Sequence, residues 1–243
     1  MIDLDSAKPL YEQIKAYIVS NIQAGVFTPD ARIPSERALS EQFGVSRLTV
    51  KRAIDELTQH GVLYVQIGKG TYISRPKVMG QLEQLTSFSE EMSGRGQHPS
   101  SRVLEAAIIP ASVEAARALR LAPGAPLFRL VRLRQADATP MAIERTHLPA
   151  LRVPGILDRH DFSRESLYGV LRVHYSINLT HAEQTIEARL ATDEESRLLA
   201  IEPNAPILYM TRLTYADGDD LCEYALSAYS GGRYKFQAVL RHL

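Results

Sequence analysis

The stretch Pro34-Ser35-Glu36-Arg37-Ala38-Leu39-Ser40-Glu41-Gln42-Phe43-Gly44-Val45-Ser46-Arg47-Leu48-Thr49-Val50-Lys51-Arg52-Ala53-Ile54 decides how the chain is read. Ser35 follows Pro34 and is a good N-cap, because its short hydroxyl can accept an orphan backbone N–H from a first helical turn. Ala38, Leu39 and Phe43 give the short helix behind it an apolar side. Gly44 falls where a helix favours a left-handed C-terminal residue. Val45 starts a turn. Ser46 then caps a longer helix that runs to about His60 and is ended by Gly61.

The longer helix separates its faces. Val50, Ala53, Ile54 and Leu57 make an apolar stripe at helical spacing. At roughly 100° per residue, Leu48, Lys51 and Arg52 point the other way, with Arg47 and Thr49 on the flanks. Residues 62–65 and 71–74 alternate like short strands around Gln66-Ile67-Gly68-Lys69-Gly70, which predicts a hairpin with a cation at its tip. Outward Arg and Lys suit guanine edges or phosphates, Thr suits phosphate, and an exposed leucine suits a thymine methyl. Each feature alone also fits a merely solvated cationic face. The two capped helices, Gly44 and the Gly-Lys-Gly hairpin in one succession point instead to a DNA-reading head.

Pro34-Ser35-Glu36-Arg37, Phe43-Gly44-Val45-Ser46-Arg47-Leu48-Thr49-Val50 and Gly68-Lys69-Gly70-Thr71 resemble the winged helix of GntR-type bacterial transcription regulators. The resemblance implies double-stranded operator DNA as a partner, read as a palindrome by a homodimer. The residues expected at the DNA are Ser35, Arg37, Ser46, Arg47, Leu48, Thr49, Lys51 and Arg52, with Gly68, Lys69 and Gly70 in the wing.

Composition sets the outer bounds. The chain has 243 residues, 45% of them hydrophobic and 23% charged, as in a globular protein of one large or two ordinary domains. Formal net charge is +0, so no bulk basic field announces nucleic acid, and DNA affinity has to come from local arrangement and dimerisation. The single cysteine, Cys222, has no internal disulfide partner, which fits a reducing compartment. Met1-Ile2-Asp3-Leu4-Asp5 does not read as a signal peptide, and no run approaches the roughly 20 apolar residues of a membrane span. A cytoplasmic protein is expected.

Taken in order, Leu10, Ile14, Tyr17, Ile18 and Ile22 form a helical stripe that starts near Pro9 and is closed by Gly25. Residues 26–34 read as loop. Domain limits are expected at 1–75 for the head, 76–82 for a linker that transmits effector state, and 83–243 for an effector-binding and dimerisation domain. A helix starts near Thr86 or Ser87, and residues 93–102 read as loop. The rest holds an internal duplication. A helix, Pro123-Gly124-Ala125-Pro126 and a strand recur as a helix, Pro203-Asn204-Ala205-Pro206 and a strand. Arg132 thereby aligns with Arg212, Asp137 with Asp217, and Glu144 stands as the counterpart of Glu223. Each unit reads strand–helix–strand–strand, and two such units are expected to form one antiparallel sheet with a ligand where the halves meet.

Arg132 and Arg134 are two apart on a strand and share a face. They can clamp a phosphate or carboxylate, or they can pair with Glu144 and Glu223 on a solvated sheet face. Ser166 and Tyr168, near a helix start, add hydroxyls to an anion site. Residues 81–243 also resemble the HutC-type branch of the family, whose effector domain (UTRA) is similar in fold to chorismate lyase. Leu85-Thr86-Ser87-Phe88, Pro140-Met141-Ala142-Ile143-Glu144, Ser166-Leu167-Tyr168 and Gly232-Arg233-Tyr234-Lys235-Phe236 are similar to N-acetylglucosamine-utilisation repressors. The implied fold is α+β: a winged helix-turn-helix joined to a mixed α/β, mainly antiparallel domain. The implied effector is an amino-sugar phosphate, glucosamine-6-phosphate or its N-acetyl form. Ser89, Arg132, Arg134, Ser166 and Tyr168 would hold the phosphate, and Phe88, Glu144, Glu223 and Tyr229 would line the sugar. Gly232 stands where the branch often has aspartate. Urocanate, a phosphonate or another sugar phosphate remain alternative effectors, and a chorismate-lyase-like enzyme is an alternative of another class. No cofactor is implied. The seven histidines are scattered in sequence with no metal-ligand spacing, and no catalytic triad has motif support.

Overall fold

The computed structural model describes residues 6, 8–66, 68–74 and 77–240. The chain divides into two compact units, Met1–Lys77 and Val78–Leu243. The readings of Met1–Asp5 as lacking a signal peptide, of Ile67 in the hairpin tip, of Arg75 and Pro76 in the linker and of His242 fall outside the described residues.

In the first unit, helix α1 (Leu10–Gln23) packs behind α2 (Glu36–Phe43) and α3 (Arg47–Gln59). The caps do what their chemistry suggests. Ser35 Oγ accepts from Ala38 N at 3.2 Å, Gly44 takes φ 64°, and Ser46 Oγ accepts from Thr49 N at 3.1 Å. Val50, Ala53, Ile54 and Leu57 are buried with Ile14, Ile18 and Leu39. Burying a Leu or Ile side chain contributes roughly 1.5–3 kcal/mol, so this stripe fixes the helix pair. The wing pairs β1 (Leu63–Gln66) with β2 (Gly70–Ile73), antiparallel. Part of the expected 26–34 loop adds to it: Asp30 and Ile33 donate to Ile73 O and Thr71 O, both at 2.9 Å, and Arg32 bridges Tyr72.

The second unit starts earlier than its sequence suggests. Val78–Gln81, expected within a linker, forms strand β3 and later pairs in parallel with β10 (Tyr234–Gln237). Its partner lies far along the chain, so no local signal marks it. Helix α4 (Phe88–Ser93) follows, with a Ser87/Glu90 capping box. Strand β4 (Pro99–Pro110) takes in residues 99–102, which had read as loop, because β5 supplies their hydrogen bonds.

The duplication is a structural one. β4, α5 (Val113–Ala118), β5 (Pro126–Ala136) and β6 (Thr139–Pro149) are repeated. After α6 (Ile156–Arg159) and α7 (Leu167–Tyr175) come β7 (Leu179–Leu190), α8 (Asp193–Leu199), β8 (Pro206–Ala216) and β9 (Asp220–Ser230). One sheet results, in the order β4-β5-β6-β9-β8-β7, joined at its centre by β6 and β9. Gly124 and Asn204 occupy equivalent turns with φ 78° and 57°. On β5, Val131 and Leu133 pack with Leu199 of α8, while Phe128 and Leu130 pack with Leu167, Val170 and Leu171 of α7. Successive side chains thus serve opposite faces.

Register corrects one expectation. Arg132 stands opposite Glu144, whereas Arg212 stands opposite Ala225 and Thr214 opposite Glu223. Glu144 and Glu223 are therefore not equivalent positions. The turn from β8 to β9 spans three residues, 217–219, against two, 137–138, from β5 to β6.

Candidate functional site

The head exposes the N-terminal part of α3. Leu48 is 77% exposed, and Arg47 and Lys51 are exposed beside it. Ser46 Oγ and Thr49 Oγ1 lie 2.8 Å apart, so one hydroxyl pair both caps the helix and offers a donor outward. Arg37 Nε meets Glu41 Oε1 at 2.8 Å in a pair exposed to water, which holds the guanidinium weakly. Arg52 also has partners within the head. Its guanidinium stacks over the Tyr11 ring at 3.8 Å and its Nε pairs with Glu56 at 3.2 Å, so it joins α1 to α3 while its side chain stays 60% exposed. In the wing Gly68 and Gly70 take φ 76° and 125°, which a side chain would strain.

The second unit holds a small, mainly polar cavity. Eight of the nine expected effector residues line it: Phe88, Arg132, Arg134, Glu144, Ser166, Tyr168, Glu223 and Tyr229. Ser89 stands behind them and accepts from Arg134 Nη2 at 2.9 Å. Of the two alternatives for the paired arginines, the pairing with glutamate is seen in part. They do pair with Glu144, from Arg132 Nη2 at 2.5 Å and Arg134 Nη1 at 3.4 Å, but the face is enclosed, with each arginine 3% exposed. Arg134 also lies 4.7 Å from the Phe88 ring centre. Nε and Nη1 of Arg132 and Nε of Arg134 are buried with no partner among the described residues. Buried N–H groups of a cation without acceptors are costly, and an incoming oxyanion would satisfy them.

The charges around the cavity differ in kind. Burial lowers the Arg134 guanidinium to about 10, with the neighbouring Arg132 adding repulsion. Burial pushes the Glu144 carboxyl up, but Arg132 and Arg134 outweigh it and hold it below the usual carboxylate range. Burial raises Glu223, which accepts from Tyr168 Oη at 2.8 Å and Thr214 Oγ1 at 2.5 Å. Ser166 Oγ accepts from Gly169 N at 3.4 Å and caps α7. Tyr229 packs on Tyr234 and Phe236.

Sequence reading missed several lining residues. Arg212 is the clearest, since its alignment with Arg132 was in view. It donates from Nε to Gln184 Oε1 at 3.0 Å and faces the cavity from the second repeat. Gln81 and Phe236 come from β3 and β10, whose pairing across the length of the unit has no local signal. Two of the scattered histidines meet outside the cavity: His160 and His174 lie with ring centres 4.7 Å apart. No group of three metal-ligating side chains occurs among the described residues, and no helix there is long and apolar enough to cross a membrane.

Known proteins match both units. The family of bacterial regulatory proteins called gntR matches residues 10–73, and the UTRA domain matches residues 94–235. The HTH-type transcriptional repressor NagR of Bacillus subtilis (strain 168) is 38% identical over 97% of this chain and 96% of its own. The histidine utilization repressor of Pseudomonas putida is 33% identical over 94% of this chain and 91% of its own. The crystal structure of PhnF from Mycobacterium smegmatis has 29% identity and a TM-score of 0.67, covering 94% of this chain and 99% of that one. Winged helix and cavity together define a transcriptional repressor that binds DNA and a small-molecule effector. Within that class the chain belongs to the GntR family, in the HutC-type branch that carries a UTRA domain. These relatives are regulators and not enzymes, which sets the chorismate-lyase-like alternative aside.

Proposed function

We propose that the chain represses genes of amino-sugar (N-acetylglucosamine) catabolism. In this reading it acts in the cytoplasm as a homodimer assembled through the effector unit. Two heads grip a palindromic operator, and glucosamine-6-phosphate or N-acetylglucosamine-6-phosphate releases them. The carrying observation is the enclosed Arg132–Arg134 pair, with three guanidinium nitrogens that have no acceptor among the described residues. A phosphate supplies several acceptor oxygens at once, and guanidiniums match its geometry. Ser89, Ser166 and Tyr168 complete the phosphate seat. Phe88, Glu144, Glu223 and Tyr229 line the sugar. The similarity to a repressor named NagR supports the amino-sugar assignment.

A thermal-shift screen tests this reading. A ligand at about 100 times its Kd stabilises the folded state by roughly 2.7 kcal/mol. The two amino-sugar phosphates are expected to raise the melting point of the full chain more than urocanate, a phosphonate or the unphosphorylated sugars. A larger shift with urocanate would transfer the proposal to a carboxylate effector. No shift with any anion would end it.

A further inference from the structure

We infer that Arg32, outside both helices of the DNA-reading motif, is a backbone-phosphate contact of the head and seats the wing against it. Arg32, Arg37 and Arg47 converge on one hollow, lined as well by Ser35, Gly70, Thr71 and a single carboxylate residue, Glu36, so its cations outnumber its anions. The three arginines come from three places: the strand-like segment before α2, the first turn of α2, and the first residue of α3. Arg37 already has Glu41 and Arg52 has Glu56, whereas no carboxylate partners Arg32 or Arg47 among the described residues. Of these four arginines, the two without an ion pair among the described residues thus flank the same hollow.

Contact with the wing explains how Arg32 is held there. A Cβ built on Gly70 would lie 2.5 Å from Arg32 Nε and 3.1 Å from Cζ, so the guanidinium rests directly on the glycine backbone. Gly70 has φ 125°, and its lack of a side chain permits both the turn and this close approach. Backbone bonds from Asp30 and Ile33 to Ile73 O and Thr71 O, and from Ile73 N to Ala31 O, fix the segment that carries Arg32. A long flexible cation is therefore pre-positioned between the wing and the start of the recognition helix. Duplex DNA entering along α3 presents its phosphates at such an edge, and a guanidinium there positions the head without reading sequence. The inference rests on the family's DNA binding and not on the proposed effector.

The salt dependence of binding separates a phosphate contact from a structural role. The full chain would be titrated with a duplex recovered by selection from a randomised library using the wild-type protein. Each phosphate neutralised contributes about 0.9 to the slope of log affinity against log salt. Arg32→Gln is expected to weaken binding and to lower that slope by about one for each bound head, with the base preferences of the selected site unchanged. Arg32→Lys should restore the slope. An unchanged slope in a folded Arg32→Gln variant would overturn the inference. Where the glutamine variant fails to fold, wild-type protein decides: saturating duplex should protect Arg32 from arginine-selective dicarbonyl modification, read by peptide mass spectrometry. Modification at the same rate with and without duplex would overturn it equally.

Discussion

In the head, Arg32 and Arg47 stand around an open hollow that Glu36 also lines, with no ion pair to either arginine among the described residues, whereas Arg132 and Arg134 in the effector unit are 3% exposed and share Glu144. Water solvates the first pair, so its unpaired charge costs little, and its attraction to DNA is screened by salt. The second pair lacks that solvation. It is held by one carboxylate and one serine and still leaves N–H groups unmet. Exposed guanidiniums serve a large polyanion that arrives along a surface. Enclosed ones serve a small anion that fits, because only a matching ligand restores what burial removed.

The largest effect should come from breaking the enclosed pair. Arg134→Ala removes one half of the clamp and is expected to cost roughly 2–5 kcal/mol in effector binding, the range for truncating a buried hydrogen-bonded charge. Duplex affinity should be unchanged. Calorimetry with glucosamine-6-phosphate and a parallel duplex titration check both halves, and release of the variant at wild-type effector concentration would show the clamp to be misassigned. Arg47→Ala in the head should cost roughly 1–3 kcal/mol in duplex affinity if its guanidinium meets a base edge in two-pronged fashion. The same variant should leave effector calorimetry untouched, and an unaltered duplex titration at fixed salt would move the reading role to Lys51 or Leu48.

Much of this contrast was legible in the sequence, for a physical reason. Caps are local: Ser35, Gly44 and Ser46 act on backbone groups three or four residues away, so their chemistry announces the helices. The apolar stripe of α3 is equally local, and the repeat that aligns Arg132 with Arg212 shows because turns and helices recur in order. Pairing between distant segments was not legible. Arg32 joins the wing through β2, Val78–Gln81 needs β10, and strand register puts Ala225, two residues past Glu223, at the position equivalent to Glu144. For Arg52 periodicity gives direction only. It does not show that Tyr11 waits on the neighbouring helix.

A smaller effect would sharpen the electrostatic side of the comparison. Burial raises the Glu223 carboxyl, so the folded state takes up its proton more readily than the unfolded chain. Stability from this group should therefore fall as pH rises from the ordinary carboxylate value to the raised one, and stay level above it. Glu144 runs oppositely: its lowered value contributes stability at neutral pH that is lost as pH falls through that value. Glu223→Gln is expected to raise the neutral-pH melting point of the effector unit and to flatten the acid-side rise. A variant whose melting profile parallels wild type from acid to neutral pH would show that Glu223 carries no such burden.

The central claim is that an anion held by Arg132 and Arg134 and a duplex held by the head disfavour each other. Fluorescence anisotropy of the full chain on a selected duplex, titrated with glucosamine-6-phosphate and with its N-acetyl form, measures this directly. A coupling of roughly 1–3 kcal/mol per site is expected, seen as a loss of duplex affinity that saturates with effector and disappears in Arg134→Ala. Undiminished duplex affinity at effector concentrations that calorimetry shows to fill the cavity would contradict the account.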